Sequence, residues 1–242
     1  MEIIAHRGAS FDAPENTLSA IRLAWQQSAD AVEIDVHLTR DDAIVAMHDD
    51  NTLRTTGHDA KIADQTLAEL KQLDAGNWKD AAFAGEAIPT LDEILAELPT
   101  AKRLVIEVKD ARPEIVPVLQ DVIAQSGVLP AQLLLIGFDY AQVQRLKAAL
   151  PQIGVLLLRG AAPTSDAGEL ISLCQSTGLD GLDLHFAYPL EEESVAQLHA
   201  ANLQWLVWTV DDAEIARSLV EAGVDGITTN RPRWLREQLQ AT

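Results

Sequence analysis

Four short polar groupings interrupt apolar runs in this chain, and each suggests a chemical task. Ile3-Ile4-Ala5 ends in His6-Arg7, a titratable imidazole beside a planar, permanently charged guanidinium. That pair suits a reaction at an anionic ester. Glu33 and Asp35 stand two residues apart in the apolar run Ala31–Val36, so on a strand their carboxylates share one face. Glu107 and Lys109 repeat this spacing after Arg103. His48 follows Ile44-Val45-Ala46-Met47 and precedes Asp49-Asp50. If the segment carrying His48 folds back over the strand ends, His48 faces His6 and the two form a general acid and general base for neutral pH.

Two carboxylates on the buried face of a strand would be very costly without compensation. Glu33, Asp35 and Glu107 together form an all-oxygen set suited to one hard divalent cation, Mg²⁺ or Ca²⁺, more than to zinc. The alternative is a structural ion pair of Glu33 or Glu107 with Lys109, which leaves at least one carboxylate uncompensated. Charge counting favours the cation. Three carboxylates and a divalent ion sum to −1, a phosphodiester adds −1, and Arg7 with Lys109 offset both.

The elements that must position these groups alternate regularly. Strand-like runs fall at Ile3–Ala5, Ala31–Val36, Arg103–Val108, Leu133–Gly137, Gly154–Leu158, Gly181–Leu184, Leu203–Val210 and Gly226–Thr229. Several are nearly continuous Leu, Ile and Val, as expected for parallel strands covered on both faces. Amphipathic helical stretches follow them, at Glu114–Gln125, Ala141–Ala149, Glu192–Ala201, Ala213–Ala222 and Arg233–Gln240. Eight such units predict an α/β fold, a (β/α)8 TIM barrel, in which polar residues at the C-terminal strand ends converge. Residues 1–242 are expected to form a single domain. Roughly residues 40–100 break the rhythm, with a short strand at Ile44–Met47 and helical segments near Thr66–Leu73 and Leu91–Leu98. They read as a small insertion after the second strand, lying over the barrel mouth.

The 242 residues carry a formal net charge of −19 and are 48% hydrophobic. Such an acidic chain is a poor partner for nucleic acid or an anionic membrane surface. No stable membrane association is expected, since no apolar run approaches a membrane span. The N-terminus lacks a basic n-region and a long apolar h-region, which points to a cytoplasmic protein. The single cysteine, Cys174, excludes a disulfide within the chain and reads as a buried thiol. An acidic surface with scattered apolar residues defines no dimer interface. Trp208 is a candidate apolar wall at the mouth, and Phe138 a similar one. Arg159 and His185 end or follow strands and read as surface or supporting groups, and His58 and His199 as loop and helix-surface residues.

Taken together, the motifs identify a family. The chain resembles the glycerophosphodiester phosphodiesterases, especially the compact cytosolic bacterial type. The matches run from His6-Arg7-Gly8 with Pro14-Glu15-Asn16-Thr17 through Glu33-Ile34-Asp35-Val36, His48-Asp49 and Arg54-Thr55-Thr56. They continue through Leu73-Asp74-Ala75-Gly76, Ile88-Pro89-Thr90-Leu91, Ile106-Glu107-Val108-Lys109, Trp208-Thr209-Val210 and Gly223-Val224-Asp225-Gly226-Ile227. The resemblance implies hydrolysis of a small-molecule glycerophosphodiester to sn-glycerol 3-phosphate and an alcohol. It implies His6 and His48 as the acid/base pair and Glu33, Asp35 and Glu107 as divalent-metal ligands. Arg7 and Lys109 would bind phosphate, with Glu15 and Asn16 in support, Asn16 being also a candidate cap for the first helix. Asp41-Asp42 replaces a frequent Asp-Gly, and Thr229-Asn230 a frequent Thr-Asp. Two other readings share the residue set: lysophospholipase D-type hydrolysis of lysophospholipids, and a non-catalytic barrel that binds glycerol phosphate.

Overall fold

The computed structural model describes residues 1–241. Strand β1 (Glu2–His6) leads to α1 (Leu18–Gln26) and then β2 (Ala31–Leu38). The interval before the next barrel strand holds β3 (Ile44–Ala46), α2 (Leu53–Thr56), α3 (Leu67–Leu70) and α4 (Leu91–Ala96). Strict alternation resumes with β4 (Arg103–Val108), α5 (Ile115–Ser126), β5 (Leu133–Gly137), α6 (Tyr140–Ala149), β6 (Gly154–Arg159) and α7 (Ala167–Thr177). It ends with β7 (Gly181–His185), α8 (Glu192–Ala200), β8 (Gln204–Trp208), α9 (Ala213–Glu221), β9 (Gly226–Thr229) and α10 (Pro232–Gln240).

All strands except β3 pair in parallel, and β1 bonds to both β2 and β9, so eight strands close a (β/α)8 barrel as the sequence predicts. The period-two rule sorts each strand into two faces. Outward residues such as Ile3, Val32, Ile34, Leu104, Ile106, Leu182 and Val207 join the main core beneath the helices. Inward residues Ile4, Ala31, Val105, Leu134, Leu156 and Leu206 fill the barrel floor. One pleat further along, the same inward parity brings His6, Glu33, Glu107, Asp183, Trp208 and Thr228 around a common cavity.

The predicted helix ends agree with the structure to within a residue or two, except in the insertion, where α3 is a single turn rather than a segment to Leu73. The insertion is built onto the barrel wall. β3 pairs antiparallel with the far end of β2, Val36 opposite Ala46 and Leu38 opposite Ile44. The turn between them sets Asp42 at φ +61°, the left-handed region that the family's frequent glycine adopts freely and that Asp tolerates. Val45, Met47, Ile62, Leu70, Ala75 and Ile88 form a small separate core.

The first βα loop bends sharply. Arg7 (φ +54°), Gly8 (φ +81°) and Asn16 (φ +57°) all occupy the left-handed region, and the Asn16 N–H bonds the Arg7 carbonyl at 3.0 Å. At Gly8 a Cβ would lie 2.6 Å from the Ala20 carbonyl carbon, so loop and α1 can approach only through glycine. Gly8→Ala is expected to destabilise the fold by roughly 1–3 kcal/mol. Thermal unfolding should read this as a melting temperature lower by several degrees; unchanged melting would contradict the close approach.

Candidate active site

The predicted residues meet at the C-terminal end of the barrel. His6, Arg7, Glu33, His48, Glu107, Lys109, Phe138, Asp183 and Trp208 line a cavity of about 150 Å³. A larger open groove of about 810 Å³ lies between α8 and α9, but no Lys or Arg lines it. Of these two, the smaller cavity is the one that offers an anionic substrate cations, Arg7 and Lys109.

The acidic cluster follows from strand register. Asp35 stands opposite Glu107 across the β2–β4 ladder, and oxygens of Glu33, Asp35 and Glu107 lie within 4.8 Å of one another, all three residues buried. Lys109 Nζ approaches Glu107 Oε1 at 2.8 Å and Asp35 Oδ1 at 3.2 Å. Arg7 Nε lies 3.2 Å from Asp35 Oδ2. The ion pair foreseen as the alternative to a metal is therefore present, but it falls on Glu107 and Asp35 together and leaves Glu33 over. Among the described residues Glu33 receives one hydrogen bond, from the Arg7 backbone N–H at 2.9 Å.

The charges respond accordingly. Burial, then the Asp35 and Glu107 charges, hold the Glu33 carboxyl well above the usual carboxylate range. Burial, with Asp35 adding and Lys109 opposing, pushes Glu107 up to about 7. Burial also works against Asp35, yet Lys109 and Arg7 outweigh it and the group is lowered. Two cations thus fail to neutralise three carboxylates, and among the described residues Asp35 Oδ1 receives no hydrogen bond beyond its ion pair with Lys109. A hard divalent cation fits this set of oxygens by size of charge and by ligand type.

The two histidines are held differently. His6 Nδ1 donates to Asn230 Oδ1 at 2.7 Å, which fixes the proton on Nδ1. Burial, with the Arg7 charge adding, pushes this imidazole down to about 4. His48 Nδ1 donates to Asp49 Oδ1 at 2.7 Å, and the His48 carbonyl accepts from His37 Nε2 at 3.3 Å. Hydrogen bonds from Arg54 hold Asp49 down to about 2 despite partial burial. Arg54 also grips Glu15 through Nη1 at 2.9 Å, and Glu15 receives Arg7 Nη1 at 2.9 Å. The first loop and the insertion are tied by this chain of alternating charges.

Asn16 is not the helix cap: Thr17 accepts from the Ala20 N–H instead. With a left-handed backbone, Asn16 turns its amide to Asp35, donating from Nδ2 to Oδ2 at 2.8 Å and accepting the Asp35 N–H at 3.1 Å. Trp208 and Phe138 meet edge to face at 5.6 Å on the cavity wall. His185 packs on Trp208 without lining the cavity, while His58 and His199 are exposed and do not line it. Three residues at or behind the site were given no role in the sequence reading. Asp183 is buried, and among the described residues its Oδ1 has no hydrogen-bond partner. Burial and Glu107 hold its carboxyl well above the usual range. Its signal was available, one acidic residue at inward parity in an apolar strand. Asn230 and Asp211, which hold His6 from behind, gave no such pattern.

The model of the glycerophosphoryl diester phosphodiesterase family matches residues 6–233. The chain belongs to this family. The phosphodiesterase is 33% identical over 238 residues to the glycerophosphodiester phosphodiesterase of Caldanaerobacter subterraneus subsp. tengcongensis, covering 96% of this chain and 95% of that one. A phosphodiesterase of Oleispira antarctica, solved in complex with its product sn-glycerol-3-phosphate, is 32% identical, with a TM-score of 0.90 and coverage of 99% and 97%. The glycerophosphodiester phosphodiesterase of Agrobacterium tumefaciens, 26% identical, superposes with a TM-score of 0.84 over 98% and 99%. Enzyme class and fold therefore agree with the sequence reading, and no helix among the described residues is long and apolar enough to cross a membrane.

The raised Glu107 makes a signed prediction for metal-free protein. A carboxyl whose folded pKa lies above its unfolded value costs stability as pH rises from about 4.5 through 7, and costs nothing below. In chelator, Glu107→Gln should gain on the wild type across that window, by up to about 3 kcal/mol. Parallel denaturation curves at pH 5 and pH 8 measure the gain; an equal difference at both would contradict the assignment.

Proposed function

We propose that this cavity hydrolyses glycerophosphodiesters such as glycerophosphocholine or glycerophosphoethanolamine to sn-glycerol 3-phosphate and an alcohol, with His6 and His48 as the acid/base pair. One observation carries the reading: two histidines and two cations line one cavity with Glu33 and Glu107, whose carboxylates cluster with that of Asp35 and are under-neutralised. Residues 1–242 act as one phosphodiesterase domain, with residues 40–100 forming one side of its mouth.

Arg7 and Lys109 bind the phosphoryl oxygens. A guanidinium offers five N–H donors and an ammonium three, so their bonds to carboxylates leave donors for phosphate. His6, its proton fixed on Nδ1 and its ring neutral at pH 7, takes the proton of the attacking oxygen on Nε2. As the new P–O bond forms, the P–O bond to the alcohol breaks, and His48 delivers a proton to the departing oxygen. The Asp49 carboxylate at 2.7 Å compensates a positive His48 ring. Glu15 orients Arg7, and Asn16 orients Asp35. Glu33, Asp35 and Glu107 would hold one divalent cation, Mg²⁺ or Ca²⁺, which when bound supplies Lewis-acid stabilisation of phosphoryl charge. Trp208 and Phe138 supply the apolar wall along which the alcohol leaves.

The test is release of glycerol 3-phosphate from glycerophosphocholine by chelator-treated enzyme, before and after Mg²⁺ or Ca²⁺ is restored. Release only with metal is expected. Turnover of lysophosphatidylcholine alone would move the reading to a lysophospholipid substrate, and tight binding of glycerol 3-phosphate without any turnover would move it to a binding barrel. His6→Ala and His48→Ala should each lower kcat by about 10²–10⁴-fold in steady-state assays with metal present; near wild-type kcat in both would overturn the pair. Trp208→Ala should raise KM more than it lowers kcat for the same substrate.

A further inference from the structure

His6 is backed by a chain of hydrogen bonds that runs out of the cavity to the barrel rim. Asn230 directly follows β9, and Asp211 lies in the loop between β8 and α9. Asp211 Oδ1 accepts from Thr229 Oγ1 at 2.7 Å and from the Asn230 N–H at 2.9 Å, and its Oδ2 accepts from Asn230 Nδ2 at 2.6 Å. Asn230 Oδ1 accepts on its other side from His6 Nδ1 at 2.7 Å and from Ser10 Oγ at 2.9 Å.

The polarity of this chain is set at its outer end. An ionised carboxylate only accepts hydrogen bonds, so the NH₂ of Asn230 must face Asp211 and its carbonyl oxygen must face His6. A carbonyl oxygen also only accepts, so the proton of His6 must sit on Nδ1. The remaining nitrogen, Nε2, then carries a free lone pair in the cavity that His6 lines. Asn is the side chain that can pass this instruction on without adding a charge of its own, since it accepts at one end and donates at the other.

We propose that Asp211 and Asn230 are positioning residues for His6, the Asp211 carboxylate orienting the Asn230 amide so that the imidazole is held in the Nδ1–H tautomer with Nε2 free to take a proton. The assignment rests on the reading of His6 as a proton-transfer group. Asp211 is exposed, so water competes for its oxygens; three donors from the single dipeptide Thr229-Asn230 hold it in register nonetheless. The frequent Asp at the Asn230 position would accept from His6 directly. Here that contact is divided between a neutral amide and a carboxylate one residue further out.

Polarity, not loop anchoring, is what the test must isolate. Asp211→Asn keeps an acceptor for Thr229 and the Asn230 N–H but brings a second NH₂ against Asn230 Nδ2, which lets that amide flip. It should lower kcat on glycerophosphocholine by about 10–100-fold with KM little changed. The double variant Asp211→Asn, Asn230→Asp reverses donor and acceptor between the two positions and restores an acceptor toward His6, so it should recover most of the lost kcat. In enzyme carrying ¹⁵N-labelled histidine, the wild type and the double variant should show His6 with a protonated Nδ1 and a bare Nε2, and Asp211→Asn a mixture of tautomers. Unchanged kcat and an unchanged His6 spectrum in Asp211→Asn would overturn the proposal, as would a double variant no better than the single one. Failure of the underlying reading looks different: His6→Ala would then retain turnover, while the His6 spectrum of Asp211→Asn would still report whether the relay sets the tautomer.

Discussion

Three carboxylates enclosed at one end of a closed barrel are the constraint on which the surrounding structure depends. The barrel floor beneath them is filled by aliphatic side chains, so water cannot solvate them from below, and the cost of ionising them falls on neighbouring groups. Arg7 leaves the usual backbone regions to reach Asp35, Lys109 divides its charge between two oxygens, and Asn16 adopts a left-handed backbone to serve Asp35 with both ends of its amide. Glu33 and Glu107 remain reluctant to ionise even so. An interior this short of positive charge is arranged to receive more of it. The surrounding chain carries a net charge of −19, so the cations inside the cavity must draw in a phosphodiester that the bulk of the surface repels.

Against that shared floor, the two histidines differ in what stands behind them. His48 leans on a carboxylate that is itself gripped by Arg54, whereas His6 leans on a neutral amide and keeps its ring uncharged through burial. Different backing gives two chemically identical side chains different electrostatic surroundings, the condition for the separate acid and base tasks proposed for them. Arg54 joins the two halves of the arrangement, since its other partner, Glu15, also holds Arg7.

Most of this architecture was legible in the sequence because parallel strands buried on both faces leave little freedom. A charged residue inside such a run is conspicuous, and even spacing reveals which others share its face, as with Glu33, Asp35 and Glu107. Asp183 obeyed the same rule and was overlooked because it stands alone in its strand. The supporting place of Asn16 came from the motif, whereas its candidacy as a cap rested on local sequence; its actual partner, Asp35, arrives only when β2 forms beside the loop. The bond of Asn230 to Asp211 joins two loops that meet through β8–β9 pairing, and its contact with His6 needs the barrel to close between β9 and β1. Contacts of that kind have no periodic signature.

The course of β2 carries one more consequence. Its first residues pair with β1 as far as Glu33, and its last residues, from Val36 to Leu38, pair with β3. Between these partners the Asp35 N–H is taken by the Asn16 side chain. One strand thus passes from its β1 partner to the wall of the insertion between Glu33 and Val36, and the insertion delivers His48 two residues after β3 ends. A segment that lengthens or shortens here cannot drift independently of the chemistry, because its first strand is docked by backbone hydrogen bonds to the strand bearing two of the buried carboxylates.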